Sequence, residues 1–72
     1  AYDIAHIAVR NRVVLTSKTP TGLVRGFGGP QVYYALERLM DRIAVEMGLD
    51  PIQLRLRNFV RPDQFPYHAA AG

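Results

Sequence analysis

Cysteine and tryptophan are absent from this chain. No disulfide, thiolate nucleophile or cysteine-ligated zinc is therefore possible, and a small fold gains no covalent staple. The absence suits a reducing compartment without fixing one; the expected localisation is cytoplasmic. Long apolar runs are missing too: nothing approaches the roughly 20 residues of a membrane span, and no basic stretch leads into a short apolar core. No membrane partner is expected, and any targeting sequence is expected outside these residues. Blocks of like charge are also lacking. Nine Lys+Arg against six Asp+Glu leave a net charge of +3, spread along the chain without the runs typical of nucleic-acid tails. Nucleic acid is not expected as a partner.

At 72 residues a single core is marginal without a metal, a disulfide or a partner. The opening at Ala1 and the Ala69-Ala70-Ala71-Gly72 run read as an excerpt from a longer chain. The expected organisation is one partial domain over residues 1–72, made of a strand region (1–20), a glycine-rich loop (21–31), two helices (30–58) and an extended arm (59–72).

From Ile4 to Thr16 the sequence is rich in β-branched residues, a composition that favours strand. Arg10-Asn11-Arg12 is either a turn between two strands or the exposed face of one strand with a bulge near Val13-Val14. Thr19-Pro20-Thr21-Gly22 ends the region, because the residue before proline is held extended and Gly22 supplies a turn.

Gly22, Gly26, Gly28 and Gly29 then flank Arg25 and Phe27 just ahead of Pro30. Glycine admits positive φ and close backbone approach, and Pro30 suits a first helical turn. Val32, Leu36, Leu39, Met40, Ile43 and Met47 follow one helical stripe, predicting a helix from about Pro30 to Met47 with its apolar face buried. Arg38 with Asp41 and Arg42 with Glu46 are spaced to pair along it, each worth about 0.2–0.5 kcal/mol. Gly48 suits a helix end, and Asp50-Pro51 a helix start, so a second helix follows from about Pro51 to Asn58 with Ile52, Leu56 and Phe59 as its apolar edge. The two-residue link makes the pair a compact corner. The fold class expected is α+β: N-terminal strand or strands belonging to a larger sheet, the glycine loop, then the two-helix corner. The tail from Arg61 to Tyr67 carries two prolines and no helical period, and reads as an ordered or extended arm.

Several chemistries lack their motifs. Arg25-Gly26-Phe27-Gly28 matches the opening of an RNA-recognition consensus, but Gly29-Pro30 replaces its next aromatic and valine. Neither a dinucleotide nor a phosphate-loop pattern is complete. His6 and His68 have no ligand-like companions, and Ser17 has no base nearby in sequence. Glu37 and Asp41 share a helix face, yet Arg38 and Arg42 beside them favour a solvated charge face over an acid–base pair. Tyr33 and Tyr34 with Phe27 either line an aromatic pocket or pack internally. The glycine loop itself either receives an anionic, oxo-bearing ligand against the helix N-terminus with help from Arg25, or only permits close packing at the joint.

The run from Lys18 through Arg25-Gly26-Phe27-Gly28-Gly29-Pro30-Gln31 resembles the cofactor loop of molybdenum hydroxylases, the xanthine dehydrogenase and aldehyde oxidase family, in the large molybdopterin-binding subunit. The likeness continues through Ala35 to Asp41, Gly48-Leu49-Asp50-Pro51, Leu54-Arg55, Arg57-Asn58 and Phe65-Pro66-Tyr67. It implies a fragment of an oxidoreductase that hydroxylates or oxidises an aldehyde, a purine or other heteroaromatic, or carbon monoxide. Water supplies the oxygen, and electrons leave through iron–sulfur and FAD partners. Carried over by position, Arg25, Gly26, Phe27 and Gly28 form the cofactor-binding stretch for molybdopterin, with Phe27 also touching substrate. The tail from Arg57 is most similar to the carbon monoxide dehydrogenase-like branch, whereas Gly29-Pro30-Gln31 is closer to the xanthine dehydrogenase pattern. The family's catalytic glutamate has no counterpart here, so no catalytic or metal-ligating residue is assigned and the isolated chain is expected to be inactive, with no cofactor bound to it alone. The alternative from the residues themselves is a stand-alone interaction module built on the helical corner.

Overall fold

The computed structural model describes residues 1–70; Ala71 and Gly72, the end of the expected arm, lie outside the described residues. Helix α1 spans Gly29–Met47, helix α2 spans Pro51–Asn58, and a single 3-10 turn occupies Pro62–Gln64. The arm is thus not extended throughout.

Both helix junctions follow from local chemistry. Gly48 ends α1 in the left-handed conformation, φ 66°, and its N–H returns to carbonyls of the last turn. Asp50 is extended, and its carboxylate accepts from the N–H groups of Ile52 (3.1 Å) and Gln53 (3.0 Å), while Pro51 fills a position that needs no donor. Later residues of α2 meet earlier residues of α1, so the second helix turns back along the first.

The expected N-terminal strands are not there. Among the described residues no strand forms, and the only pairings are isolated bridges between Tyr2 and Phe59 and between Val24 and Phe27. A strand exists only when its N–H and C=O groups find a ladder, and these residues supply no second strand for 4–16. Most of the run's β-branched side chains consequently stand in solvent, Val9 at 84% and Val13 at 86% exposure. The fold is helical rather than α+β.

The core is small. Met40, Ala44 and Leu54 are the buried residues, with Tyr2, Ile43 and Leu49 packed around them. Val32, Leu39 and Met47 of the α1 stripe remain exposed, and α2 turns Leu54 inward while Ile52 and Leu56 face out. The radius of gyration, 15.4 Å, exceeds the roughly 11 Å of a compact chain this long.

Polar contacts supplement that core. Arg55, on α2, has a side chain only 19% exposed. Its Nε donates to Glu37 Oε2 (2.7 Å), and Nη2 donates to Asp41 Oδ1 (2.9 Å) and to the Glu37 main-chain oxygen (3.1 Å). Its Nη1 donates to the Pro51 carbonyl (3.2 Å). The Tyr2 hydroxyl donates to both Glu37 oxygens at 2.9 and 3.1 Å. Asp41 therefore pairs across to α2 rather than with Arg38, while Arg42 and Glu46 do pair, at 3.4 Å on an exposed face. Glu37 and Asp41 are neither an acid–base pair nor a freely solvated face.

The ends of the described chain are clipped together. Asp3 N–H donates to the Asn58 carbonyl (2.6 Å) and Val60 N–H to the Ala1 carbonyl (3.1 Å), and the Tyr2 and Phe59 rings stack at 5.4 Å. The Asp3 carboxylate accepts from Gln64 (2.7 Å) and from the Tyr67 hydroxyl (3.1 Å), and these bonds hold it below the ordinary aspartate range.

Two outcomes follow from this packing. Leu54→Ala removes one of three buried side chains and should cost about 2–4 kcal/mol, read as a lower denaturant midpoint or, in a marginal chain, as lost helical circular dichroism. The hydrogen bond from Arg55, then that from Tyr2, lowers the Glu37 carboxyl below its ordinary value of 4.5. A depressed folded-state value means that the stabilisation is complete above that ordinary value and disappears as the pH falls through the folded-state value. Acid titration of stability should thus be shallower in Glu37→Gln than in the parent below about pH 5, and an unchanged acid limb would show that Glu37 contributes nothing.

Candidate functional site

The loop before α1 is two consecutive turns. Phe27 N–H donates to the Val24 carbonyl (2.7 Å), closing a turn whose third residue, Gly26, has φ 86°. A type II turn requires positive φ there. Gly29 N–H then donates to the Gly26 carbonyl (2.9 Å), closing a second turn with Phe27 at φ 57° and Gly28 at φ −98°, ψ −5°. These values fit a type II′ turn, whose second position favours glycine. Phenylalanine occupies it instead, and left-handed backbone at a non-glycine residue costs about 1–3 kcal/mol.

The glycines divide by what requires them. A Cβ on Gly26 would lie 3.0 Å from Pro30 Cδ, and its φ already disfavours a side chain. One on Gly29 would meet the Tyr33 ring at 3.2 Å. Around Gly28, as around Gly22, no atom lies within 4 Å of such a Cβ, and the Gly28 φ suits any residue.

All four residues picked out by sequence therefore come together: Arg25, Gly26, Phe27 and Gly28 occupy the two turns that lead into α1. The Phe27 ring stands 71% exposed, and Arg25 forms no ion pair among the described residues. Gly28 provides no side-chain cap, and the first turn of α1 holds no acidic residue, so the positive end of the helix is not neutralised locally. The donor set here is a guanidinium, loop amides and a helix N-terminus, which fits an anionic, oxo-bearing group approaching across Gly28.

Residues 1–59 match the molybdopterin cofactor-binding domain. The chain belongs to that family. As a member of the molybdopterin cofactor-binding domain family, it is similar to the aldehyde oxidoreductase of Megalodesulfovibrio gigas, with 41% identity over 85% of this chain and 7% of that protein. It is 39% identical to the xanthine dehydrogenase molybdenum-binding subunit of Escherichia coli O157:H7 over 83% of this chain and 8% of the relative. With the carbon monoxide dehydrogenase large chain of Afipia carboxidovorans it shares 37% identity over 100% of this chain and 9% of the relative. The chain thus spans under a tenth of the length of each of these three curated relatives. No solved structure matches it.

Sequence reasoning missed two features of this family member's loop and its support. The Gln31 amide lies 3.3 Å from the Phe27 carbonyl and 3.2 Å from the Gly28 carbonyl, and with its nitrogen assigned to that side on hydrogen-bonding grounds it donates to both, bracing the strained turn from the helix side. A glutamine just inside a helix start gives little signal of this. The other is the Tyr2–Glu37–Arg55 contact, of which only the Glu37–Asp41 spacing is visible in the sequence. Tyr33 and Tyr34 are both exposed rather than packed internally.

The backbone geometry separates two substitutions. Phe27→Gly relieves the left-handed strain and should raise unfolding stability by about 1 kcal/mol, whereas Gly26→Ala should lower it by more than that. Denaturant titration of both variants reads the difference, and a stabilising Gly26→Ala would rule out the turn assignment.

Proposed function

We propose that this chain forms one wall of the molybdenum-cofactor site in the large subunit of an oxidoreductase of the xanthine dehydrogenase, aldehyde oxidase and carbon monoxide dehydrogenase type. The observation that carries the reading is Gly28: as at Gly22 the space beside it is open and its φ does not demand glycine, but Gly28 alone caps α1 beside the exposed Phe27, where a missing side chain lets a ligand reach the helix N-terminus. The family match over residues 1–59 names that ligand's class.

The bound cofactor would supply two-electron oxidation of a small substrate with water as the oxygen source. The chain's own residues bind and orient. Backbone amides of Gly26 and Gly28, which the two turns leave unused, and the Arg25 guanidinium face the cofactor's polar edge, and the Phe27 ring, held outward by its turn, presents a flat apolar surface to an aldehyde, a purine or other heteroaromatic, or carbon monoxide. Electrons pass to iron–sulfur and FAD partners, and the site lies in the cytoplasm.

A larger surrounding subunit is supported by the surface. Val9, Val13, Leu15, Leu23, Ile52 and Leu56 all stand exposed around a three-residue core, more apolar surface than an independent small domain tolerates. Exposed apolar side chains on the helical corner would also suit a stand-alone interaction module; the family match over residues 1–59 favours the subunit.

Gly28→Ala, made in the full-length subunit that carries this segment, tests the reading. Thermal stability should be unchanged, while molybdenum retained per subunit falls about tenfold, equivalent to about 1.4 kcal/mol. Full molybdenum content in that variant would contradict the placement of Gly28 against the cofactor.

A further inference from the structure

We infer that, given a loop that faces the cofactor as proposed, Tyr2, Glu37 and Arg55 are positioning residues that fix the loop-bearing end of α1 against α2 and the N-terminal segment. Within residues 1–70 the start of α1 has little hold of its own. It lacks a side-chain cap, and Val32, Tyr33 and Tyr34 are exposed. Moving along the helix from the loop, Glu37 is the first residue hydrogen-bonded to another element, through Arg55 and Tyr2. One of these contacts holds the main chain itself, since Arg55 Nη2 donates to the Glu37 carbonyl at 3.1 Å.

The lever is long. Met40, the first buried residue of α1, lies eleven residues beyond Gly29, about 16 Å at 1.5 Å per residue. A tilt of about 10° about that point moves the loop by about 3 Å, several times the roughly 0.5 Å tolerance of a working site. Glu37 sits between the pivot and the loop, where a bond resists such a tilt. Tyr2 extends the restraint to a third segment, because its backbone bridges to Phe59 and its ring stacks on the Phe59 ring.

Hydrogen–deuterium exchange on the full-length subunit, compared among wild type, Tyr2→Phe, Arg55→Lys and Arg55→Met, tests the assignment. Tyr2→Phe removes one hydroxyl, and Arg55→Lys keeps the charge but loses the fork, so both leave the three-residue core in place. Exchange over residues 21–34 should rise about 3- to 10-fold in these two variants with residues 40–47 unchanged, and turnover per bound molybdenum should fall. Arg55→Lys should recover part of what Arg55→Met loses. Exchange that rises equally over both regions, or over neither, overturns the positioning role and leaves an ordinary packing contact. A wild-type subunit without molybdenum overturns the cofactor reading, while the exchange pattern still decides the clamp.

Discussion

One guanidinium organises most of what is ordered here. Arg55 reaches from α2 to two carboxylates and a main-chain carbonyl of α1 while also meeting the Pro51 carbonyl of its own helix. Exposed ion pairs contribute little as a rule, and the Glu37 and Asp41 side chains are 46% and 44% exposed, but the planar fork of Arg55 is engaged on several sides and is itself mostly shielded from water. It matters more because, among the described residues, the apolar core is only Met40, Ala44 and Leu54. Tyr2 completes the arrangement by bonding the same glutamate, so the N-terminal segment, both helices and, through the Tyr2–Phe59 bridge, the start of the arm share one polar centre.

The glycine loop is built on the opposite principle. Its two turns are closed by short backbone bonds, yet its side chains are unengaged: Arg25 is unpaired among the described residues, Phe27 is exposed, and Gly28 opens onto empty space. Phe27 accepts a backbone conformation that glycine would fill at less cost. Strain at an exposed aromatic, next to a glycine the fold does not need, is the geometry on which the proposed approach of an external ligand rests. The family to which the chain belongs gives that ligand its chemical class.

How much of this is legible in sequence depends on range. Helix spans and junctions rest on residues a few positions apart, namely the Val32–Met47 stripe, Gly48 and Asp50-Pro51, and those signals place both helices. Which face is buried is a tertiary property: the stripe exposes Val32 and Met47, and α2 turns Leu54 inward rather than Ile52 and Leu56. The β-branched run at 4–16 states a propensity, but a strand needs a partner these residues do not supply. Glu37 and Asp41 stand out by spacing, yet their partner is eighteen and fourteen residues away in α2, beyond any local pattern. The loop residues are visible because glycine and proline mark them, and the left-handed Phe27 is not.

The central claim is that the Arg25–Gly28 turns face the cofactor. A structure of the intact subunit with molybdopterin bound tests it most directly. The account predicts cofactor polar atoms within hydrogen-bond distance of the Gly26 or Gly28 amide or of Arg25, with nothing of the protein intervening at Gly28. A loop turned to solvent, or packed against protein with the cofactor more than about 10 Å away, far beyond the roughly 3 Å of a hydrogen bond, would contradict it.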